Sequence, residues 1–226
     1  MNKKPIIGIM PTSNYMESED SFFDTYRYAN NYVKKIVENG GIPYFIPLCD
    51  NKVIDYSLIE ICDGLLLPGG SKVQAYSLEI IDYFYKKDKP ILGICLGVQT
   101  LGLYSVTGVG LEKEDDIIVK IDDKNSHFPV NLVRDNEEIL IHKNIIKKDS
   151  KLYEIFCQDE IMVNSLHKYK INKVGPNFEV TMKSIDDIIE GIEAKDKKFV
   201  VGVQFHPEVL PQYNLIFERF INECRA

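Results

Sequence analysis

Paired cysteine spacing, an excess of basic charge and long apolar runs are all missing from this 226-residue chain. Its five cysteines, Cys49, Cys62, Cys95, Cys157 and Cys224, are odd in number, scattered, and contain no C-x-x-C pair. That argues against a secreted disulfide framework and against a structural zinc site. Lys and Arg total 27 against 34 Asp and Glu, a net charge of −7. Such a balance suits neither nucleic acid, whose phosphates demand a basic footprint, nor an anionic membrane surface. No stretch approaches the roughly 18 apolar residues of a membrane span. The first apolar run, Pro5 to Pro11, is bounded by prolines and is shorter than the core of a signal peptide. Repeats, low-complexity tracts and Ser/Pro-rich linkers are absent too. The expectation is a reduced, cytoplasmic protein that folds as one domain over residues 1–226.

What is present alternates. Pro5–Met10, Pro43–Pro47, Asp63–Leu67 and Ile91–Ile94 read as short apolar strands, with a polar loop from Thr12 to Ser21 after the first. Between them Tyr26–Glu38, Val53–Glu60 and Leu78–Tyr85 carry helical spacing, and Gly40 supplies a stop. Near-continuous apolar strands separated by helices predict a mainly parallel sheet covered on both faces. The second half is richer in strands: Ile117–Ile121, Phe128–Val133, Ile161–Val163, Phe178–Met182, Ile188–Glu193 and Phe199–Val203. Turn residues such as Asp135-Asn136 and Asp196-Lys197-Lys198 punctuate them, and Leu215–Ile221 reads as a closing helix. These later strands are expected to extend the sheet in antiparallel fashion.

Open α/β sheets bind ligands at the carboxyl ends of their parallel strands. Four segments should converge there. Gly93-Ile94-Cys95-Leu96-Gly97-Val98-Gln99 runs a buried strand into a helix with a cysteine at the junction. This is the cysteine form of the G-x-S-x-G elbow, in which a sharp turn presents the nucleophile and the helix N-terminus can lower the thiol pKa. The competing reading is a small buried core cysteine. Val203-Gln204-Phe205-His206-Pro207-Glu208 follows the last apolar strand. Pro207 biases His206 toward extended geometry, which would put His206 and Glu208 on one side of the chain. A carboxylate could then orient the imidazole whose other nitrogen addresses a thiol. A surface turn or a partial metal site are the alternatives there.

Leu67-Pro68-Gly69-Gly70 offers backbone N–H groups at a strand end, as an oxyanion requires. Val163-Asn164-Ser165-Leu166-His167 places short polar side chains after another strand. His127 and His142 have no partners at a useful spacing in sequence. Gly108-Val109-Gly110 is only a fragment of a phosphate loop, and the acidic stretch Glu112–Asp123 reads as a solvated edge without EF-hand spacing. No metal and no cofactor are expected.

The motifs P-I-L-G-I-C-L-G-V-Q at Pro90–Gln99, L-L-P-G-G at Leu66–Gly70 and V-Q-F-H-P-E at Val203–Glu208 resemble the class I glutamine amidotransferase superfamily. V-N-S-L-H at Val163–His167 and G-I-E-A at Gly191–Ala194 make the chain look like its stand-alone γ-glutamyl-γ-aminobutyrate hydrolase branch. The resemblance implies a flavodoxin-like doubly wound sheet. It also implies a triad of Cys95 as nucleophile, His206 as acid/base and Glu208 as orienter, cleaving a γ-glutamyl amide through a thioester. Gly70 and Leu96 would supply oxyanion N–H groups, with Gly69, Gln99, Ser165 and His167 near the substrate.

Three departures stand against that branch. Leu96 replaces the usual Arg, His167-Lys168-Tyr169 replaces H-H-Q, and the segment from Gly70 to Pro90 lacks a longer acidic loop and an R-D pair. The resemblance therefore carries the triad to this chain but not the γ-aminobutyrate leaving group. The expected partner is a small γ-glutamyl substrate, and a homodimer is left open. Two other readings remain: a glutaminase subunit feeding ammonia to a separate synthase, and a non-catalytic ligand-binding homologue.

Overall fold

The computed structural model describes residues 3–12, 28–49, 54–122, 127 and 141–225. The expected loop from Thr12 to Ser21, the start of the Tyr26 helix, Val53, the Phe128–Val133 strand and the Asp135-Asn136 turn lie essentially outside them. Among the described residues eleven strands form one sheet: β1 (Ile6–Ile9), β2 (Ile42–Phe45), β3 (Gly64–Leu67), β4 (Ile91–Ile94), β5 (Ile118–Lys120), β6 (Ile141–Ile146), β7 (Glu160–Asn164), β8 (Tyr169–Ile171), β9 (Phe178–Ser184), β10 (Ile189–Ala194) and β11 (Val200–Val203). The helices are α1 (Asn30–Glu38), α2 (Tyr56–Glu60), α3 (Ala75–Lys86), α4 (Leu96–Thr107), α5 (Glu114–Ile117), α6 (Lys151–Phe156) and α7 (Leu215–Glu223).

The order β2-β1-β3-β4-β11 is parallel throughout, the 2-1-3-4-5 arrangement of a flavodoxin-like fold with β11 in fifth place. From β11 onward the sheet turns antiparallel through β10, β9, β6 and β7, while β8 joins β10 and carries β5. The chain is thus α/β and doubly wound, as expected, with an extensive antiparallel wing.

Alternation along the strands divides the core between two faces. Leu65, Leu67, Ile91 and Val200 pack with α3 and α4, through Ile80, Ile81, Phe84, Val98 and Leu101. Leu66, Leu92, Ile94, Val201 and Val203 pack with α1, α6 and α7, through Ile36, Ile155, Phe217 and Phe220. Helix α4 is buried on every side from Leu96 to Tyr104; it is mostly apolar, and its polar Gln99 and Thr100 are hydrogen-bonded. By contrast α7 buries only the stripe Ile216, Phe217, Phe220 and Ile221.

Several boundaries shift from those read in the sequence. Ile117 closes the short helix α5 rather than opening a strand, so part of the Glu112–Asp123 stretch is a helical turn and β5 starts at Ile118. Strands β6 and β8 carry no clear periodicity, whereas helix α6, also unexpected, buries Leu152, Ile155 and Phe156 at helical spacing behind its Ser150 cap. Helix α6 is held by its end: Ser150 caps Tyr153 N–H, and the buried Glu193 carboxylate of β10 accepts from Lys151 and Leu152 N–H. A carboxylate from a neighbouring strand satisfies those first N–H groups, and sequence spacing could not reveal that.

Candidate active site

Three adjacent parallel strands, β3, β4 and β11, deliver their carboxyl ends to one place. Cys95 follows β4 and precedes α4, with φ 54° and ψ −107°. A non-glycine residue at positive φ is strained, and the surroundings hold it there. Its N–H donates to Val203 O of β11 at 2.9 Å. Two glycines make the turn possible by letting α4 cross close to the sheet. A Cβ on Gly97 would lie 2.3 Å from Leu67 O, and one on Gly93 would lie 2.9 Å from Gly97 C. The elbow expected from the G-x-C-x-G pattern is present as a backbone conformation.

His206 stands three residues beyond the end of β11. Its N–H donates to Asn164 Oδ1 at 2.8 Å and its C=O accepts from Asn164 Nδ2 at 3.0 Å, so β7 clamps the residue from both sides. His206 Nδ1 meets Glu208 Oε1 at 2.6 Å. The route to this pair differs from the expectation of an extended chain. Pro207–Val209 is one turn of 3-10 helix, and that turn folds the carboxylate back to the imidazole. With Nδ1 engaged, Nε2 is the nitrogen left free, and the ring and Cys95 border the same space above Gly69. Burial alone would push the His206 pKa down. The negative charges of Cys95 and Glu208 outweigh it and hold the ring well above its ordinary value.

Gly69 and Gly70 close the other side. A Cβ on Gly69 would sit 3.0 Å from His206 Cε1, 3.1 Å from Tyr32 Oη and 3.5 Å from Cys95 Cβ. Only glycine leaves that space clear. A Cβ on Gly70 would meet Leu96 Cδ2 at 2.8 Å, which places the two expected oxyanion residues side by side. Leu96 is the first residue of α4, where helix geometry leaves an N–H without an intrahelical partner.

Tyr32 of α1 escaped the sequence reading. Its hydroxyl accepts from Gly69 N–H at 3.0 Å and fixes the Pro68-Gly69-Gly70 turn. Burial, followed by the nearby Glu208 charge, raises the phenol well above its usual value, so the hydroxyl stays neutral. In sequence Tyr32 was one apolar-face residue among several on a helix.

Gln99, Ser165 and His167 are all buried, and their polar groups are committed to protein partners. Gln99 Nε2 donates to Tyr169 O and Gln204 Oε1, both at 3.0 Å. Ser165 Oγ donates to His127 O at 2.9 Å, and His167 Nδ1 donates to Tyr169 O at 2.9 Å. Ser165 and His167 therefore belong to a second polar cluster. His127 and His142 belong to it too, which corrects the reading that they have no partners. His127 Nδ1 is 3.2 Å from His167 Nε2, and both rings approach Glu190, as does His142. Burial would raise the Glu190 carboxyl, but contacts with His142 and His167 hold it down at about 2. The signal available in sequence was Glu190 itself, a carboxylate inside the apolar strand Ile188–Glu193.

Comparison with known proteins follows this geometry. The family model for peptidase C26 matches residues 5–77 and 74–208, which include Cys95, His206 and Glu208. The chain belongs to the peptidase C26 family. This peptidase C26 chain is 28% identical over 277 aligned positions to a Rickettsia prowazekii (strain Madrid E) protein described as glutamine amidotransferase-like, covering 97% of the chain and 96% of the relative. It is 31% identical over 234 positions to a Schizosaccharomyces pombe protein named for glutamine amidotransferase, covering 88% and 84%. Among solved structures it matches the Trypanosoma brucei CTPS glutaminase domain with bound acivicin, with TM-score 0.66, 14% identity, and 98% and 94% coverage. At that identity the last likeness speaks for the fold alone. Class I glutamine amidotransferase-like architecture is thus reached from the family match and from the strand order.

Proposed function

We propose that the chain is a cysteine-dependent amide hydrolase that cleaves a γ-glutamyl amide on a single catalytic domain. The observation that carries this reading is the strained Cys95 elbow facing an imidazole whose far nitrogen is held 2.6 Å from a carboxylate. Cys95 Sγ, its proton already held on His206 Nε2, attacks the amide carbonyl carbon. The developing oxyanion is stabilised by the N–H groups of Gly70 and Leu96, donors of a kind worth about 2.7–4 kcal/mol each. The C–N bond then breaks as His206 passes its proton to the leaving amine or ammonia, and a thioester remains. His206 next takes a proton from water, the resulting hydroxide attacks the thioester, and the S–C bond breaks. Glutamate leaves, and the Cys95 thiolate beside protonated His206 is restored. Glu208 fixes the ring throughout, and Gly69 leaves the space that the acyl group enters. Gln99, one helical turn after the nucleophile, acts on the site only by fixing α4 against Tyr169 and Gln204.

The free thiols at Cys49, Cys62, Cys95, Cys157 and Cys224 fit a reducing compartment such as the cytoplasm. Among the described residues no helix is long and apolar enough to cross a membrane.

The test is glutamate release from glutamine and a panel of γ-glutamyl amides, with intact mass measured for a covalent adduct. Turnover on at least one substrate is expected, with Cys95→Ala reducing it by several orders of magnitude. Turnover undiminished in Cys95→Ala would remove the proposal. The relatives named for glutamine amidotransferase favour one second reading, a glutaminase subunit serving a separate synthase. That reading predicts hydrolysis of glutamine alone, rising when the synthase is added.

A further inference from the structure

Three of the chain's four histidines meet at one carboxylate oxygen. Glu190 lies in β10 and is wholly buried. It owes its direction to a bulge: Ile189 pairs with Lys183 and Gly191 with Met182, so two residues of β10 answer one of β9. Bulges re-aim side chains in this way. Glu190 Oε2 is 3.4 Å from Asn144 Nδ2, while Oε1 has no hydrogen-bond partner. Around Oε1 stand His127 Nδ1 at 3.7 Å, His142 Nε2 at 3.4 Å and His167 Nε2 at 3.4 Å.

The outer hydrogen bonds decide where the ring protons sit. Tyr169 O can only accept, so His167 carries its proton on Nδ1 and turns the Nε2 lone pair inward. The Asp186 carboxylate accepts from His127 Nε2 at 3.0 Å, which turns the Nδ1 lone pair inward as well. Two lone pairs therefore face each other at 3.2 Å beside a buried, negatively charged oxygen. His142 Nε2 points to the same oxygen and finds no hydrogen bond. A point lined by so many nitrogen and oxygen lone pairs suits a cation.

We infer that His127 Nδ1, His142 Nε2, His167 Nε2 and Glu190 Oε1 form a site for a zinc-class divalent cation. In a tetrahedral site with bonds of 2.0–2.2 Å the ligand atoms lie roughly 3.3–3.6 Å apart. Four of the six separations run from 3.2 to 3.7 Å, and the ligand atoms of His127, His142 and Glu190 all lie within 4.8 Å of one another, so His142 closes by a small inward shift when the ion binds. Three imidazoles and one carboxylate match zinc or cobalt and do not suit calcium or magnesium, which take oxygen ligands. The carboxylate on His127 and the carbonyl on His167 are the supports that metal-bound histidines use. Four protein ligands make the site structural. The ion ties β6, β10 and the β7–β8 connection together. Through Tyr169 O, which also accepts from Gln99, it steadies the first turn of α4.

The experiment takes the full chain, strips it with chelator, and titrates it with Zn²⁺ or with Co²⁺ as a spectroscopic probe. One ion per chain is expected, with tetrahedral cobalt bands and no thiolate charge-transfer band. Cys95→Ser should keep the ion, because the thiol is not a ligand. Glu190→Gln should abolish binding, and His142→Gln should weaken it at least tenfold. The half-exposed Asp186→Asn, chosen because it leaves the buried core intact, should cost roughly 10–100-fold in affinity. Circular dichroism selects the variants that fold. The inference is overturned if the wild-type chain takes up no ion, if folded His142→Gln and Asp186→Asn keep wild-type affinity, or if Cys95→Ser abolishes uptake.

Discussion

At the scale of single residues, the site depends on where charge is held. The elevated His206 pKa comes from its partners: burial opposes the imidazolium, and the charges of Cys95 and Glu208 restore it. A group whose folded-state pKa is raised stabilises the fold fully below its unfolded value, about 6.5 for histidine. That contribution is lost as pH rises through the folded-state value. Glu208→Gln removes one of the two charges, so the His206 titration should move down toward 6.5. The alkaline loss of stability should move down with it. Histidine proton resonances followed against pH, together with urea unfolding at several pH values, measure both shifts. An unmoved His206 titration would mean that Glu208 does not hold the ring.

Elements matter through how closely they pass. The α4 N-terminus presents Cys95 only because its first turn lies against β3, where Gly97 has no side chain to collide with Leu67 O. In Gly97→Ala the new Cβ would lie 2.3 Å from that backbone oxygen, and no rotamer can relieve the clash. The expected result is a loss of about 1–3 kcal/mol in unfolding free energy. A larger proportional loss of turnover should accompany it, since the elbow must shift. Denaturant unfolding and initial rates on the same preparation separate the two effects. The elements carrying this geometry were legible in sequence because buried parallel strands are short, apolar and bounded by glycine or proline. Strands β6 and β8 were not legible, since partners from other strands complete them rather than their own periodicity. Helix α6 has Leu152, Ile155 and Phe156 at helical spacing but over only six residues, and a partner from another strand completes its start. The Glu193 carboxylate at the start of α6 is the clearest case.

Across the whole molecule, the five cysteines sort by depth. Cys49 and Cys157 are exposed, while Cys62, Cys95 and Cys224 are buried. Burial pushes the Cys62 thiol up to about 11, and it also raises Cys224, which lies deep against Gly64. Native alkylation should therefore modify Cys49 and Cys157, and Cys95 through its access to substrate. Cys62 and Cys224 should react only after unfolding. Peptide mass mapping before and after denaturant reads the pattern, and a γ-glutamyl substrate should shield Cys95 alone. Native labelling of Cys224 would show that α7 does not stay packed over β3.

By itself the sequence determined the alternation of strands and helices, the elbow around Cys95 and the pairing of His206 with Glu208. Each is written in local spacing: glycines two residues either side of a nucleophile, and a proline between an imidazole and a carboxylate. Tertiary structure alone decided that β11 lies between β4 and β10, which brings His206 to a cysteine more than a hundred residues earlier. It also decided that Tyr32 holds Gly69, and that His127, His142 and His167 surround Glu190. Those contacts join segments whose spacing carries no period, so only strand order, a bulge and close packing could bring them together.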